Sequence, residues 1–377
     1  VRKFLLHPLI ATVCLAVLFV FVLGRGPNVV PVALFYEEAD PSSTVVSRQS
    51  LQAVVLAMEF FNSRSGSHMF VPVPFSGIDM ETSMQEAAAR NAVVMVGGIN
   101  TSFASILADA ARRAGLPMIC LAPGKYLARP DDFVFRPRPD NGGKELGLAA
   151  KRMGIRSYTA VVSGINVRYV QEFIRDFESG AGMPPKRTVV FKGALDSRIA
   201  DFEGADASSE AVLLVLPDWL AGIAARAINV EAPEMAIFAS NWAISHRTEQ
   251  LAESLGDRLI IAATTHGQWD SAENEFLRFV EDTYGRRLTP ITLSMGYDTV
   301  AMLDAAVRDA GSNAPQKIST ALKRMRDVPT VGGVVPVDAN GDMQQPVSLF
   351  SLDGRTWKRI HETAGTRMPQ ESTPELR

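Results

Sequence analysis

The residues able to hold a ligand gather in one stretch, VVMVGGINTSFASILADAARRAGLPMICLAPGK, residues 93–125. An apolar run stops at Gly97-Gly98, and the small polar residues Asn100, Thr101 and Ser102 follow. An amphipathic segment then leads to a second apolar run at 116–121. The order is strand, glycine turn, helix start, helix, strand. A helix that starts at the carboxyl end of a strand presents unpaired N–H groups and the positive end of its dipole, which suits an anion. Gly97 and Gly98 let the backbone turn and come close to a bound group. The hydroxyls of Thr101 and Ser102 either add donors to such a group or cap the helix.

Signatures of covalent or metal chemistry are missing. The five histidines, His7, His68, His246, His266 and His361, form neither an HExxH motif nor an i, i+4 ligand pair, so no metal site is expected. The two cysteines, Cys14 and Cys120, lack CxxC spacing, and Cys120 in a strand-like run reads as a small buried hydrophobe. Neither GxSxG nor GxxxxGK[ST] is present. Spacing names no acid/base pair, so the expectation is a protein that is not an enzyme and uses no cofactor.

The elements that must position the stretch come from the rest of the chain. It has 377 residues, 47% of them hydrophobic, enough for two cores of ordinary domain size. The formal net charge is −3 and no basic stripe stands out, which argues against a nucleic-acid partner. Lys186-Arg187 and Arg286-Arg287 read as solvated pairs beside turns. Arg2-Lys3 precede an apolar run at 9–23 that carries no charged residue, and Arg25 follows. That is the order of an export signal, with a length between a signal core and a membrane span. Residues 1–26 therefore read as a signal peptide or an uncleaved membrane anchor; as an anchor, 5–24 lie in the inner membrane, Arg2-Lys3 in the cytoplasm and the chain after them outside.

From residue 29 the pattern alternates. Strand-like runs at 29–35, 69–73 and 93–96 are separated by helical spacing at 51–61 and 80–90. Helices between short apolar strands indicate βαβ units and a parallel sheet. DFVFRPRPDN, residues 132–141, breaks the pattern with two prolines. The alternation restarts with YTAVVSG, RTVVFKG, AVLLVLP, EMAIFASN and RLIIAAT. Three helical segments and a group of turn-rich strands close the chain.

The chain resembles the type I periplasmic solute-binding proteins, in the leucine/isoleucine/valine-binding branch. LQAVVLAMEFFN, the 93–119 segment, YTAVVSGINVRYVQEF, TLSMGYDTVAMLDAAVRDAGS and VGGVVPVDANGD stand in family order, with Val337 in place of the usual Phe of the last motif. The resemblance implies an α/β fold of two doubly wound parallel-sheet lobes joined by three crossovers, preceded here by the N-terminal apolar helix. Lobe 1 is expected at 29–138 plus 270–330, lobe 2 at 139–265 plus 334–362, and a polar tail at 366–377. The crossovers are expected at 135–141, 263–269 and 330–335.

The same resemblance implies which residues hold the ligand. Thr101 matches the hydroxyl residue that grips a carboxylate. Ser102 adds a ligand contact or an N-cap. Ala122 and Gly124 match the second gripping loop, whose usual Thr or Ser is missing here. Tyr169 matches an aromatic that stacks on the ligand. Trp219 and Trp242 stand at strand ends, where they line a cleft or pack. Asn241 stands where the family has an acid that pairs with an α-ammonium, and Asn brings no charge. Val46 stands where lobe 1 commonly has an aromatic. The ligand is therefore read as a carboxylate, an amino acid or an amide-like solute, with Asp218 as a substitute acid if an amino acid binds.

The expected function is an extracytoplasmic solute-binding protein that closes two lobes on a small molecule for the permease of an ABC-type importer. Two alternatives stay open: a membrane-anchored sensory binding protein serving a receptor kinase, and a ligand-free envelope regulator on the same fold.

Overall fold

The structure is a computed structural model and describes residues 28–38, 41–130, 132–191, 209–264, 274–285, 288–330 and 332–360. The N-terminal apolar segment, the 366–377 tail, the Arg286-Arg287 pair, His266 and most of the expected 263–269 crossover lie outside these residues. Among the described residues, no helix is long and apolar enough to cross a membrane.

The first sheet is built from β1 (Asn28–Tyr36), β2 (His68–Ser76), β3 (Val94–Gly97), β4 (Met118–Cys120) and β5 (Val134–Phe135). All four pairings are parallel, in the order β2-β1-β3-β4-β5. The connections are α1 (Pro41–Arg64), α2 (Met80–Ala89) and α3 (Thr101–Ala114). β3 and β4 are buried along their whole length, as parallel strands covered on both faces must be. β1 shows how the two faces divide. Val32 and Leu34 point into one core, Ala33 and Phe35 into the other.

The second sheet repeats the winding. β6 (Tyr158–Ser163), β7 (Arg187–Phe191), β8 (Ala211–Val215), β9 (Ala236–Ala239) and β10 (Leu259–Thr264) are parallel. Antiparallel β13 (Val347–Asp353) and β14 (Thr356–Arg359) extend it, giving the order β14-β13-β10-β9-β8-β6-β7. Its helices are α4 (Gly143–Arg152), α5 (Val167–Ala181), α6 (Asp218–Glu231) and the short α7 (His246–Leu251). α4 and α5 meet through glycines: a Cβ on Gly147 would lie 2.2 Å from the Phe177 carbonyl oxygen, and one on Gly180 2.1 Å from that of Lys144. Only hydrogen fits at those two points.

After β10 the chain returns to the first sheet as α8 (Glu275–Tyr284), α9 (Pro290–Ala310), α10 (Pro315–Arg324), β11 (Asp327–Thr330) and β12 (Gly333–Pro336). Thr289 caps α9 through the Thr292 N–H, and Pro290 supplies a first helical residue that needs no partner for its nitrogen. β11 and β12 form a hairpin, and Val328, Val335, Val337 and Met343 join the core of the first sheet. This corrects the expected boundary, which put the crossover at 330–335 and residues from 334 in the second lobe. β11 and β12 pair with each other, and the chain reaches the second sheet only between Met343 and β13.

There it runs beside the first crossover. The Arg136 amide donates to the Gly341 carbonyl at 3.1 Å, and the Met343 amide to the Arg136 carbonyl at 2.9 Å. The two crossing segments are thus hydrogen-bonded to each other.

Candidate functional site

In both sheets the first parallel strand in sequence lies between the second and third, so neighbouring connections leave in opposite directions and open a crevice at the strands' carboxyl ends. The two crevices face each other across a cavity of about 130 Å³. The first side supplies Val46 and Ser50 of α1, Ile99 after β3, Leu121 and Pro123 after β4, and Ile291, Thr292 and Met295 of α9. The second side supplies Asn166 and Tyr169 at the start of α5, Asn241, Trp242 and Ile244 after β9, and Ala263 and Thr264 of β10. Arg138, on the first crossover, lines it between them.

The polar groups are few and placed. Asn166 turns the chain from β6 into α5 with φ 54°, a left-handed conformation that a short polar side chain tolerates. Its Oδ1 is buried without a hydrogen-bond partner. One turn on, the Tyr169 hydroxyl donates to Asn241 Oδ1 at 2.6 Å. The Tyr169 ring meets Trp242 edge to face at 5.9 Å between centroids. Burial pushes the Tyr169 phenol well above its usual value, so it stays a neutral donor. With Oδ1 engaged, the amide N–H groups are the donors Asn241 has left.

Arg138 is buried. Its Nη1 donates to the Ile291 carbonyl at 3.3 Å, and its Nη2 to Ser294 Oγ at 2.5 Å and to Asp298 Oδ2 at 3.2 Å. Its Nε–H has no acceptor. Burial lowers its pKa from the ordinary guanidinium value, and the Asp298 carboxylate works against that shift. Gln345 donates to Asp298 Oδ2 at 2.8 Å and to the Pro137 carbonyl at 3.2 Å, so Arg138 sits in a network that spans both crossing segments.

The structure places the expected ligand residues unevenly. Tyr169 and Asn241 line the cavity and bond each other, and Trp242 and Val46 line it as well. Thr101, Ser102, Ala122, Gly124 and Trp219 do not line it. Thr101 is fully buried as the first residue of α3, its methyl against Gly124, where a Cβ would lie 2.5 Å away. Ser102 is exposed. The N-cap of α3 is Asn100, whose Oδ1 accepts from the Ser102 amide at 2.9 Å; the cap is not Ser102. Ala122 is core, and Trp219 packs on the core of the second sheet. The 93–125 stretch therefore reaches the cavity through Ile99, Leu121 and Pro123, which are apolar. Asp218 is buried at the start of α6, away from the cavity.

Arg138, Asn166, Ser50, Thr264 and Thr292 are cavity residues the sequence pattern missed. Arg138 had one visible signal: a cation between two prolines in the segment that leaves the first sheet. Cys120 is a buried free thiol whose pKa burial pushes up to about 11, which makes it a packing residue. Among the described residues, no three His, Cys, Asp or Glu side chains gather where a metal ion could sit.

On one flank of the cavity the two sides touch directly. Lys125, after β4, pairs with Asp176 of α5 at 2.7 Å, and Arg168 lies over the Tyr126 ring at 5.3 Å.

Two largely parallel sheets, each wound about its first strand, linked by hydrogen-bonded crossovers and facing across a cavity, define a known architecture. The chain has the fold of the type I periplasmic binding proteins. It superimposes on a solute-binding protein of an ABC transporter from Rhodopseudomonas palustris in complex with benzoate, with TM-score 0.74 and 18% identity, over 88% of this chain and 96% of that one. A leucine-binding protein from Thermotoga maritima matches with TM-score 0.71 and 20% identity, over 88% and 98%. A branched-chain amino acid transporter substrate-binding protein from Streptococcus pneumoniae, in complex with isoleucine, matches with TM-score 0.73 and 13% identity, over 88% and 100%. No family model matches the sequence, and no curated protein is significantly similar to it. All three of these structural neighbours are binding proteins for small solutes.

Proposed function

We propose that this chain is an extracytoplasmic solute-binding protein that closes two lobes on a small molecule and delivers it to an ABC-type importer. The observation that carries this reading is the cavity, which lies at the carboxyl edges of both sheets and takes its lining from both. A ligand touching both sides stabilises the closed arrangement by its contacts to each, which is how binding becomes a shape that a membrane partner can recognise. The lobes are residues 28–135 with 274–343, and 142–264 with 347–360, hinged at the crossing segments between them. Tyr169, Asn241, Asn166 and Trp242 contact the solute from the second lobe. Thr101, Ser102, Ala122 and Gly124 shape the loops that carry Ile99, Leu121 and Pro123 to it from the first. Trp219 supports the second lobe's share from behind. The apolar run at 9–23 supports placement outside the cytoplasm.

A thermal-shift screen of the full chain tests this reading. A panel of branched-chain and aromatic amino acids, small carboxylates and amides is expected to give at least one ligand that raises stability, by about 2.7 kcal/mol at a hundred times its dissociation constant. The shift should disappear in Tyr169→Ala. A shift that persists in that variant would place binding outside the cavity.

A further inference from the structure

We propose that Arg138 is the charge anchor of the cavity, and that the solute is a small carboxylate with an apolar body and no ammonium group. This rests on the cavity being the solute site. A guanidinium has five N–H donors. Three of those of Arg138 are engaged, by Ile291, Ser294 and Asp298, and the Nε–H is buried without an acceptor. An unsatisfied buried donor is unfavourable, so a ligand oxygen that comes within reach of it is stabilised. The four contacts that hold the guanidinium and its Asp298 partner, including Gln345, fix its position before a ligand arrives.

The remaining lining decides the sign of the ligand. Among the described lining residues, Arg138 is the one charged side chain, and Asp, Glu, Lys and His are absent. Asn241 is neutral, with its oxygen committed to the Tyr169 hydroxyl. An ammonium in this cavity would lie beside an Arg138 whose Asp298 partner is already paired, and would lose its hydration without a carboxylate of its own. A carboxylate would instead gain a charge-assisted hydrogen bond from Arg138 and neutral donors from Asn241. Ile99, Leu121, Trp242, Ile244 and Met295 give the body of the solute apolar and aromatic surface. The volume, about 130 Å³, is below the roughly 300–1,000 Å³ of sites for drug-sized molecules, which limits the solute to a single small ring or a short branched chain.

Because Arg138 stands on a crossing segment, a carboxylate held there touches the hinge as well as both lobes. Anion binding and closure are then linked through one side chain.

Isothermal titration of the full chain against benzoate, benzamide, 4-methylpentanoate and leucine tests the anchor. The two acids should bind. Benzamide should bind at least about tenfold more weakly than benzoate, the loss of one charge-assisted contact. Leucine, which differs from 4-methylpentanoate by its ammonium, should not bind measurably. Arg138→Gln should abolish the preference for acid over amide. Because that variant leaves Asp298 without its cation, Arg138→Lys is the companion: it keeps the charge and should keep the preference at lower affinity. Benzamide equal to benzoate, or leucine equal to 4-methylpentanoate, overturns the anchor and leaves solute binding standing. Binding of none of the four, or binding unchanged by Tyr169→Ala, overturns the solute site and the anchor together.

Discussion

Arg136 and Asp342 meet side-on across the two crossing segments, Nε 2.7 Å from Oδ1 and Nη2 against Oδ2, with both side chains buried. The Arg136 guanidinium also donates to the carbonyls of Pro123 and Gly124, so the same cation holds the loop that brings Pro123 to the cavity. Removing one partner of such a pair leaves a buried charge uncompensated. Asp342→Ala is expected to lower stability by about 3–5 kcal/mol in denaturant unfolding. The paired substitution Arg136→Met with Asp342→Leu should cost clearly less. Equal losses in the two experiments would show that the pair acts through something other than charge burial.

The α4–α5 contact makes a steric prediction. A methyl group at Gly147 would overlap the Phe177 carbonyl and the Ala181 nitrogen, 2.2 and 2.7 Å from the added carbon. Gly147→Ala should lower the melting temperature, with a loss of about 1–3 kcal/mol as the helices move apart. Gly66, with no atom within 4 Å of its added carbon, is the control, and Gly66→Ala should leave the melting temperature within a degree or two or raise it slightly.

Asn241 offers a change of ligand class. Asn241→Asp places a carboxylate beside Tyr169 without altering the side chain's shape. If Arg138 anchors an acid and Asn241 sets the tolerance for an ammonium, this variant should bind benzoate more weakly than wild type and leucine more tightly. Titration of both ligands against both proteins reads the exchange. An unchanged ligand order would separate Asn241 from selectivity.

Cys120 gives a pH dependence. Its thiol pKa is raised by burial to about 11, from an unfolded value near 9. The folded state therefore keeps its proton where the unfolded state loses it. The resulting stabilisation is complete below pH 9 and is lost as pH rises towards 11. The raised phenols of Tyr158 and Tyr169 act in the same direction at higher pH. Denaturant midpoints should fall across this alkaline range, and less steeply in Cys120→Ala. At pH 8 in the folded protein, alkylation mapped by mass spectrometry should leave Cys120 unmodified until unfolding exposes it.

The winding was legible in the sequence because each strand is its own apolar run and each helix its own amphipathic period. The runs at 29–35 and 93–96 became β1 and β3, and RLIIAAT became β10, since burial on both faces demands uninterrupted apolar residues. Tyr169 and Asn241 were named through the family resemblance, and both line the cavity. Thr101 was legible as a helix start, but not as a fully buried residue whose methyl packs against Gly124. Whether the first residue of a helix faces a cavity or a neighbouring loop depends on what packs against it, and that partner is twenty-three residues away. β12 was expected in the second lobe for a similar reason. Its alternating pattern suits either sheet, and contact with α9 and α10 decides the choice.

The sequence by itself therefore determined the α/β class, the two-fold repetition of the winding and the strand ends where a ligand can sit, because these follow from local periodicity. Only the tertiary structure decided that Arg138, Asn166, Tyr169, Asn241, Trp242 and Met295 share one cavity, because they come from four separated parts of the chain. It also decided the role of Arg138. Next to two prolines it is one cation among many; against Ser294 and Asp298, 156 and 160 residues further on, it is a buried guanidinium with a donor left to give.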